Sequence, residues 1–336
     1  LNFYRLSESH AEEPIPLKKT ETWPESFHLF AKRDLEAIDA ARAAKRPLLV
    51  TGEPGTGKSQ LARAAAALLE CKFISKVIDA KTDIEDLWFR YDAVMRLGEA
   101  QILGAAGATN VNEKLKPARF IIPGPMWWAF DWADAADHCK KFGLSERGYA
   151  TPNALLSSQE RTVLLLDEID KADADLANSL LEVLANGAFR VDLLGKNVGS
   201  QTLDATCELI VITSNNEKQL PAAFLRRCVV LKLSLPTDEA GFVSLLVERG
   251  RKHHEMADPP FEFDTSVLEE AAKQLFEDRR ATPGIPKPGQ AEYLDMLNVL
   301  KLNAKTTEEK QALLKTTREY IFQKYRGRKN RNDTEV

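Results

Sequence analysis

One eight-residue stretch near the amino end restricts the possible folds more than any other feature. It reads Gly52-Glu53-Pro54-Gly55-Thr56-Gly57-Lys58-Ser59. The stretch matches the pattern G-x-x-x-x-G-K-[ST] at every fixed position. An apolar segment, 47–51, precedes it and an alanine- and leucine-rich segment, 60–69, follows it, which predicts a strand, a loop and a helix. A glycine-rich loop at a helix amino terminus directs backbone N–H groups at an anion. The sequence therefore predicts a nucleoside triphosphate site.

Two side chains at the end of this loop are suited to a nucleotide that carries a metal ion. Lys58 is predicted to reach the β- and γ-phosphates, and the hydroxyl of Ser59 to bind Mg²⁺. We assign nucleotide contacts to all of residues 52–59 and to Gln60. The alternative is a glycine-rich turn that carries a lysine by chance, and the strand–loop–helix context disfavours it. ATP and Mg²⁺ are therefore the expected ligands.

A pair of carboxylates, Asp167 and Glu168, follows a second apolar segment at 162–166. A continuous apolar run is typical of a parallel strand covered on both faces, and ligands of such sheets lie beyond the carboxyl ends of the strands. Asp167 is predicted to hold Mg²⁺, directly or through water, and Glu168 to orient and deprotonate the attacking water. An Asp-Glu pair also occurs at ordinary helix amino termini, but beside a phosphate-binding loop it predicts hydrolysis.

The composition indicates a soluble, intracellular protein with a large core. The chain has 336 residues, a net charge of −4 and 44% hydrophobic residues, which predicts one major and one minor domain. No apolar stretch is long enough to span a bilayer and no signal-peptide pattern is present, so we expect a cytoplasmic location without membrane insertion. The four cysteines lack metal-site spacing and are expected to be reduced. The near-neutral charge makes nucleic acid a less favoured partner.

Alternating strand and helix patterns predict the domain organisation. Strands are predicted at 47–51, 72–78, 162–166, 208–213 and 229–233. Helical patterns separate them, which indicates a mostly parallel sheet. Beyond Pro236 only helices are predicted, at 238–255, 266–277, 290–303 and 307–324. The predicted divisions are an irregular N-terminal arm (1–30), an α/β core (31–236), an all-helical lid (237–325) and a basic, disordered tail (326–336).

Further polar positions follow the fourth predicted strand and precede the fifth. Asn215 is predicted to hold the attacking water against the γ-phosphate, and the alternative is a turn-forming asparagine. Arg226 and Arg227 close a short helix, where the helix dipole favours arginines in any case. The functional interpretation is an arginine finger that reaches the γ-phosphate of a neighbouring subunit. Both arginines are expected at the far edge of the sheet from the loop.

Taken in order, these elements resemble the AAA+ ATPases, in which they are called Walker A, Walker B, sensor 1 and arginine finger. Over about residues 30–325, the chain is similar to the MoxR-type ATPases of the helix-2-insert clade. Three stretches carry this similarity: Phe120–Pro125, Leu180–Leu184 and Phe224–Cys228. The resemblance implies an α/β fold, with a P-loop NTPase core whose five-stranded parallel sheet has the order 5-1-4-3-2. It also implies a helical lid and a ring, usually a hexamer.

The chain departs from that group in its lid. The group carries an arginine, sensor 2, at the start of a lid helix, whereas the matching stretch, 285–294, contains none. Lys287 is the predicted substitute. A lysine cannot make the bidentate phosphate contact of an arginine, so nucleotide-driven lid closure is expected to be weaker than usual.

A long excursion at residues 85–160 separates the second and third predicted strands, and loops of this length are usually functional. It holds four of the five tryptophans: Trp88, Trp127, Trp128 and Trp132. The tryptophans either form a local core or offer a contact surface. We predict that the excursion recognises a protein partner through Trp127 and Trp128. Residues 188–206 look like a β-hairpin, which by resemblance lines the pore of the ring.

The combined prediction is a ring of copies of this chain that couples ATP hydrolysis to remodelling or activating a protein partner. By resemblance, that partner has a von Willebrand factor type A domain. Two alternatives stay open. A nucleic-acid-translocating motor of the McrB kind would favour a basic pore hairpin, whereas residues 188–204 carry two basic and two acidic side chains. A regulatory ATP switch with little turnover is consistent with the missing sensor 2 arginine.

Overall fold

The computed structural model describes residues 6, 13–20, 22–107, 109–145, 161–199, 206–256, 259–281 and 287–323. The chain forms two compact units. Among the described residues, the first unit contains those up to 25, 30–50 and 59–231, and the second contains 26–29, 51–58 and those from 232 onward. The predicted basic tail, 326–336, and the end of the predicted excursion, 146–160, lie outside the described residues.

Strands and helices alternate along most of the chain, and helices alone follow. The strands are β1 (Pro14–Leu17), β2 (Ser26–Leu29), β3 (Leu48–Gly52), β4 (Lys72–Val77), β5 (Phe89–Tyr91), β6 (Ile121–Pro123), β7 (Thr162–Asp167), β8 (Ala188–Val191), β9 (Lys196–Gly199), β10 (Cys207–Ser214) and β11 (Val229–Leu233). The α-helices are α1 (Lys32–Ala44), α2 (Lys58–Leu68), α3 (Ile84–Trp88), α4 (Ala93–Ala105), α5 (Val111–Lys114), α6 (Pro125–Phe130), α7 (Trp132–Phe142), α8 (Ala174–Asn186), α9 (Ala222–Leu225), α10 (Glu239–Glu255), α11 (Thr265–Arg280), α12 (Gln290–Asn303) and α13 (Thr307–Ile321).

A five-stranded parallel sheet forms the centre of the α/β part, with its strands in the order β11-β3-β10-β7-β4. Counted among these five strands alone, the order is 5-1-4-3-2, so the predicted fold is confirmed. Strand β7 lies between β10 and β4, and its Leu164 pairs with Ile210 of β10 and with Ile74 of β4. Residues 162–166 of β7 are buried and Asp167 is half-buried. The carboxylate of Asp167 therefore falls at the carboxyl edge of the sheet.

The excursion between β4 and β7 is a folded part of the core. It contains the paired strands β5 and β6 and five α-helices within its described residues. Trp127 and Trp128 on α6 are 0% and 2% exposed. Every residue of α6 from Met126 to Phe130 is apolar and buried, because a helix without a polar face is stable only when it is enclosed. The prediction that these two tryptophans form a recognition surface is therefore wrong.

Helix α4 of the same excursion is exposed instead. It has no buried residue, and Val94, Leu97 and Ile102 are 82%, 61% and 69% exposed. The accessible apolar side chains of the excursion thus include those of α4, while Trp127 and Trp128 contribute to packing.

The predicted hairpin before the fourth sheet strand is present. Strands β8 and β9 pair antiparallel, with Ala188 opposite Gly199 and Val191 opposite Lys196. Helix α8 ends at Gly187, whose φ of 60° allows the chain to reverse direction into β8. The last predicted hairpin residues, 200–205, lie outside the described part of the chain.

The N-terminal arm is more regular than the sequence predicts, because it contains the short strands β1 and β2. A buried arginine on α2 holds the turn of the arm. Arg63 is 0% exposed and donates hydrogen bonds to the backbone carbonyls of Pro24, at 2.9 Å, and Lys18. Its guanidinium also lies 5.7 Å from the ring centroid of Trp23. The sequence does not predict this arrangement because Arg63 bonds to carbonyls, which no side-chain pattern reveals.

Helices α10 to α13 enclose a second core, which includes Phe242, Leu246, Tyr293 and Leu297. No strand follows β11 among the described residues, as the sequence predicts. None of the described helices is long and apolar enough to cross a membrane.

Candidate active site

The glycine-rich loop joins the end of β3 to the start of α2, and its lysine is folded back onto it. Lys58 is 7% exposed, and its Nζ donates to the carbonyls of Gly52 and Glu53, each at 2.9 Å. Thr56 Oγ1 donates to the same Glu53 carbonyl at 2.8 Å. These bonds fix the turn of the loop and keep a positive charge beside its backbone.

Gly52 and Gly57 are two of the loop positions that require glycine. A Cβ on Gly52 would lie 2.3 Å from the carbonyl oxygen of Leu233, a distance that side chains do not tolerate. Gly57 has a φ of 90°, which disfavours other residues. Helix α2 begins directly afterwards, so its free N–H groups and positive dipole end belong to the loop. The other predicted nucleotide contacts are exposed or half-buried: Glu53, Pro54, Gly55 and Gln60.

Ser59 and Asp167, the two predicted Mg²⁺ ligands, meet side chain to side chain. Ser59 Oγ donates to the carboxylate of Asp167 and lies 2.9 Å from both of its oxygens. Thr213 Oγ1, near the end of β10, lies 2.5 Å from Asp167 Oδ1. Hydroxyl and carboxylate oxygens suit Mg²⁺, which needs only one or two carboxylates when phosphates and water complete its shell. The arrangement fits that ion, and the described residues contain no larger His, Cys, Asp and Glu cluster that could hold a metal.

Glu168 has partners on β10, directly after β10 and in the turn that follows Glu168 itself. Its backbone is left-handed, with a φ of 62°, and its N–H donates to Thr213 Oγ1 at 2.9 Å. Positive φ is uncommon for a residue with a side chain and is enriched at functional sites. The carboxylate forms an ion pair with Lys171 at 2.7 Å and accepts from Asn215 Nδ2 at 3.4 Å. This pairing raises the pKa of Lys171. Since the Glu168 side chain is 32% exposed, water can reach it.

A buried carboxylate places Asn215 beside Glu168. Asp170 is 2% exposed and accepts the backbone N–H of Asn215 at 3.1 Å and that of Glu217 at 2.8 Å. Asp170, Thr213 and Lys171 are functional residues that the sequence does not predict. Asp170 and Lys171 follow the acidic pair closely in sequence, but this proximity indicates a role in the site only weakly. The role of Thr213 depends on the register of β10 against β7, which a single sequence does not give.

Comparison with known families matches residues 47–228 to the family described as "AAA domain (dynein-related subfamily)". The match spans more than half of the chain and includes the loop, the acidic pair, Asn215 and both predicted finger arginines. The chain belongs to this AAA domain family. No curated protein sequence matches the chain.

Solved structures similar to this chain include two proteins of low sequence identity. One is a RuvB mutant of Thermotoga maritima, with 14% identity and a TM-score of 0.40, covering 85% of this chain and 68% of that chain. The other is PCH-2 of C. elegans, with 15% identity and a TM-score of 0.39, covering 87% of this chain and 70% of that chain.

The predicted finger arginines lie at the end of the matched AAA domain, directly after α9. Arg226 and Arg227 are both exposed. The backbone carbonyl of Arg226 accepts a hydrogen bond from Arg46 at 3.3 Å. Within the described part of the chain, neither guanidinium forms an ion pair with a carboxylate. Both side chains are therefore available to another molecule.

The sequence predicts that these arginines are separated from the loop across the sheet, whereas in the structure they are separated from it along the strands. Strand β11 is an edge strand, but its neighbour is β3, which leads into the loop. The expected placement at the far edge from the loop is therefore wrong. The N–H of Val229, the first residue of β11, bonds to the Pro47 carbonyl just before β3. The arginines thus precede the amino end of β11, whereas the loop follows the carboxyl end of β3, about 15 Å of strand away.

The helical region lies beyond the AAA domain match and includes the predicted sensor 2. Lys287 is exposed, and none of the described residues forms an ion pair with it. An arginine of another helix contacts the loop: Arg279, near the end of α11, forms an ion pair with Glu53. The sequence gives no signal for this pair because its members are 226 positions apart.

Proposed function

We propose that this AAA domain protein hydrolyses ATP. The observation that carries the proposal is the bond between Ser59 and Asp167, next to Glu168 at the carboxyl end of β7. It brings the last residue of a phosphate-binding loop motif to an acidic pair, which is the arrangement that metal-assisted phosphoryl transfer needs. Membership of the AAA domain family supports the same activity.

Each side chain has a separate role in the proposed reaction. The loop N–H groups and Lys58 bind the β- and γ-phosphates. Ser59 and Asp167 hold Mg²⁺, which neutralises phosphate charge when bound. Glu168 takes a proton from water while the water oxygen bonds to the γ-phosphorus and the bond to the β–γ bridging oxygen breaks. Asn215 orients that water through its amide.

We further propose that hydrolysis requires an assembly of copies of this chain, as the resemblance to MoxR-type ATPases implies. The exposed Arg226 and Arg227 support this proposal, because they lie at the opposite strand end from the loop of their own subunit. Arg227 is the first choice for the finger, since Leu225, Arg227 and Cys228 match the ending L-x-R-[FC] of the MoxR-type ATPases. A ring, usually a hexamer in that group, brings an arginine of one copy to the pocket of the next.

The proposed partner is a protein that the ring remodels or activates. Both basic side chains of the β8–β9 hairpin form ion pairs, Arg190 with Asp192 at 2.8 Å and Lys196 with Asp134 at 2.7 Å. Basic side chains whose charge is already paired do not favour binding to the phosphate backbone of a nucleic acid. The exposed apolar side chains of α4 suit a protein surface.

The finer identity of the partner rests on the resemblance to MoxR-type ATPases. On that basis we propose a partner with a von Willebrand factor type A domain and a cytoplasmic location. A regulatory switch with little turnover is the second candidate, and the ion pair of Glu168 with Lys171 favours it. A nucleic-acid motor is the third, and stimulation of phosphate release by DNA or RNA would support it.

Two substitutions test the proposed activity. Lys58→Ala should abolish ATP binding, because it removes the fixed positive charge of the loop. Glu168→Gln should bind ATP with the affinity of the parent and lose at least about 10²-fold in turnover, because an amide cannot accept the proton. Calorimetry in the presence of Mg²⁺ gives the affinity, and phosphate release gives the turnover. Glu113→Gln, an exposed site on α5, is the matched control.

The results separate the candidates. Loss of ATP binding in Glu168→Gln, or parental turnover in that variant, would contradict the proposed division of roles. A parent that binds ATP without releasing phosphate would support the switch.

A further inference from the structure

The outer edge of the phosphate-binding loop carries a negative charge that the reaction does not use. Glu53 follows Gly52, and its side chain is 47% exposed. Its backbone carbonyl accepts bonds from Thr56 and Lys58, so Glu53 is part of the framework of the loop. A carboxylate at this place opposes the binding of a triphosphate, because both groups are anionic. ATP binding at this loop therefore favours a positively charged group that offsets the Glu53 carboxylate.

Arg279 of α11 is placed to do so. Its Nη2 donates to Glu53 Oε2, and its Nη1 donates to the backbone carbonyl of Pro288 at 2.5 Å. The guanidinium lies 5.7 Å from the ring centroid of Phe242, and the side chain is only 13% exposed. An aromatic ring, a carbonyl and a carboxylate thus hold one guanidinium in one orientation. Such a preorganised arginine loses little entropy when it pairs with Glu53.

A second contact joins the same edge of the loop to α12. A Cβ on Gly55 would lie 3.4 Å from Glu292 Oε2 and 3.6 Å from the Cβ of Ala291. A Cβ on Gly289 would lie 3.4 Å from the carbonyl oxygens of Pro54 and Gly55. The Glu292 carboxylate accepts the N–H of Gly289 at 2.8 Å. The edge from Glu53 to Gly55 therefore rests against the helical region at two places.

We propose that Arg279 is a positioning residue for nucleotide binding, which acts by neutralising Glu53 and holding the outer edge of the loop. The inference rests on the proposed ATP binding of this loop. It differs from the role predicted for Lys287, because Arg279 acts on the loop through Glu53 and not on the phosphates. Without Arg279, the Glu53 carboxylate repels the incoming triphosphate. Without Glu53, Arg279 is no longer needed for binding.

A double-mutant cycle tests this mechanism, with the Kd for ATP in the presence of Mg²⁺ measured by calorimetry. Arg279→Gln is expected to weaken binding about fivefold, the size of effect that one uncompensated, partly exposed charge produces. Glu53→Gln should bind ATP at least as tightly as the parent, because it keeps the backbone of the loop and removes only the opposing charge. In the double variant, Arg279→Gln should have less than about a twofold effect relative to Glu53→Gln alone.

The matched control is Arg280→Gln, which removes the same charge from the next residue, an exposed arginine without a contact to Glu53 among the described residues. Its Kd should equal that of the parent, and thermal melts of all variants show whether any change reflects unfolding. Arg279→Lys is the second variant. It keeps the charge but not the planar group, so its Kd should lie between those of the parent and of Arg279→Gln.

Several results would overturn the inference. If the loss caused by Arg279→Gln persists in full in the Glu53→Gln background, Arg279 contacts the nucleotide directly. An unchanged Kd in Arg279→Gln would show that the pair does not influence binding. A loss in Arg279→Lys as large as in Arg279→Gln would show that the charge is not what matters. If the parent itself binds no ATP, the proposed function fails, which is a separate outcome.

Discussion

Asp167 and Asp170 are three residues apart, yet the structure gives them different partners. Asp167 accepts the hydroxyl of Ser59. Asp170 is buried and accepts backbone N–H groups of the segment after β10. A buried carboxylate requires such donors, since its desolvation is otherwise unfavourable. Asp170 therefore acts through Asn215 and is a positioning residue.

Replacing Asp170 tests this role. In Asp170→Asn, the side-chain NH₂ group would face a backbone N–H of Asn215 or Glu217, and two donors cannot bond to each other. The segment that carries Asn215 should therefore shift. Turnover is expected to fall on the order of 10²-fold, because displacement of a water-orienting group by about 1 Å has effects of that size. The Kd for ATP should stay unchanged, and the free energy of unfolding should fall by about 1–3 kcal/mol.

The control is Asp173→Asn, an exposed position that precedes α8 and makes no capping bond with its side chain. Phosphate release and calorimetry measure both variants. Equal turnover in the Asp170 and Asp173 variants would show that Asp170 does not position Asn215.

At the residue scale, the sequence predicts side chains that belong to a contiguous motif and misses those that act across strands. Lys58, Ser59, Asp167 and Glu168 are identified because spacing alone defines them. Thr213 reaches Asp167 and Glu168 only through the pairing of β10 with β7. Register depends on the tertiary fold, so no local pattern specifies it.

Among the elements, α6 shows that the excursion contributes to the core. Trp127 packs against rings from other segments, with centroid distances of 5.2 Å to His138 and 6.4 Å to Phe189. Its Nε1 donates to Asp134 at 2.8 Å, and the same carboxylate pairs with Lys196 of β9. One indole therefore links α6, α7 and the hairpin.

Removing that indole should destabilise the protein. Trp127→Ala is expected to lower the free energy of unfolding by about 3–5 kcal/mol, through lost burial and a cavity. Leu97→Ala on the exposed α4 is the control and should change stability by less than about 0.5 kcal/mol. Denaturant unfolding measures both. Equal free energies of unfolding for Trp127→Ala and the parent would contradict a core role of the indole and support a surface role.

The strands and helices themselves are largely predictable from periodicity. The structure reproduces the predicted bounds of β11 and α12, 229–233 and 290–303, and the other sheet strands differ by a residue or so. The location of Trp127 is not predictable in the same way, because its contacts come from segments far apart in sequence. An aromatic cluster in a long loop is compatible with a core and with an interface, and only tertiary packing decides between them.

On the scale of the whole molecule, the family match supports the assignment of the AAA domain but does not extend to the helical region. The family match covers residues 47–228 and supports the nucleotide site. The helical region follows it, and the loop residues 51–58 group with that region in one compact unit. A division by residue number cannot show such a grouping, because contacts such as that of Arg279 with Glu53 join distant parts of the chain.

A mixing experiment tests most directly whether copies of this chain hydrolyse ATP together. One variant carries Arg226→Ala and Arg227→Ala, and the other carries Lys58→Ala. Each alone should release almost no phosphate. An equimolar mixture should recover up to about a quarter of the parental rate, because half of the pockets and half of the neighbouring arginines are intact. No recovery in the mixture, or parental turnover in the arginine variant alone, would contradict a site shared between two copies.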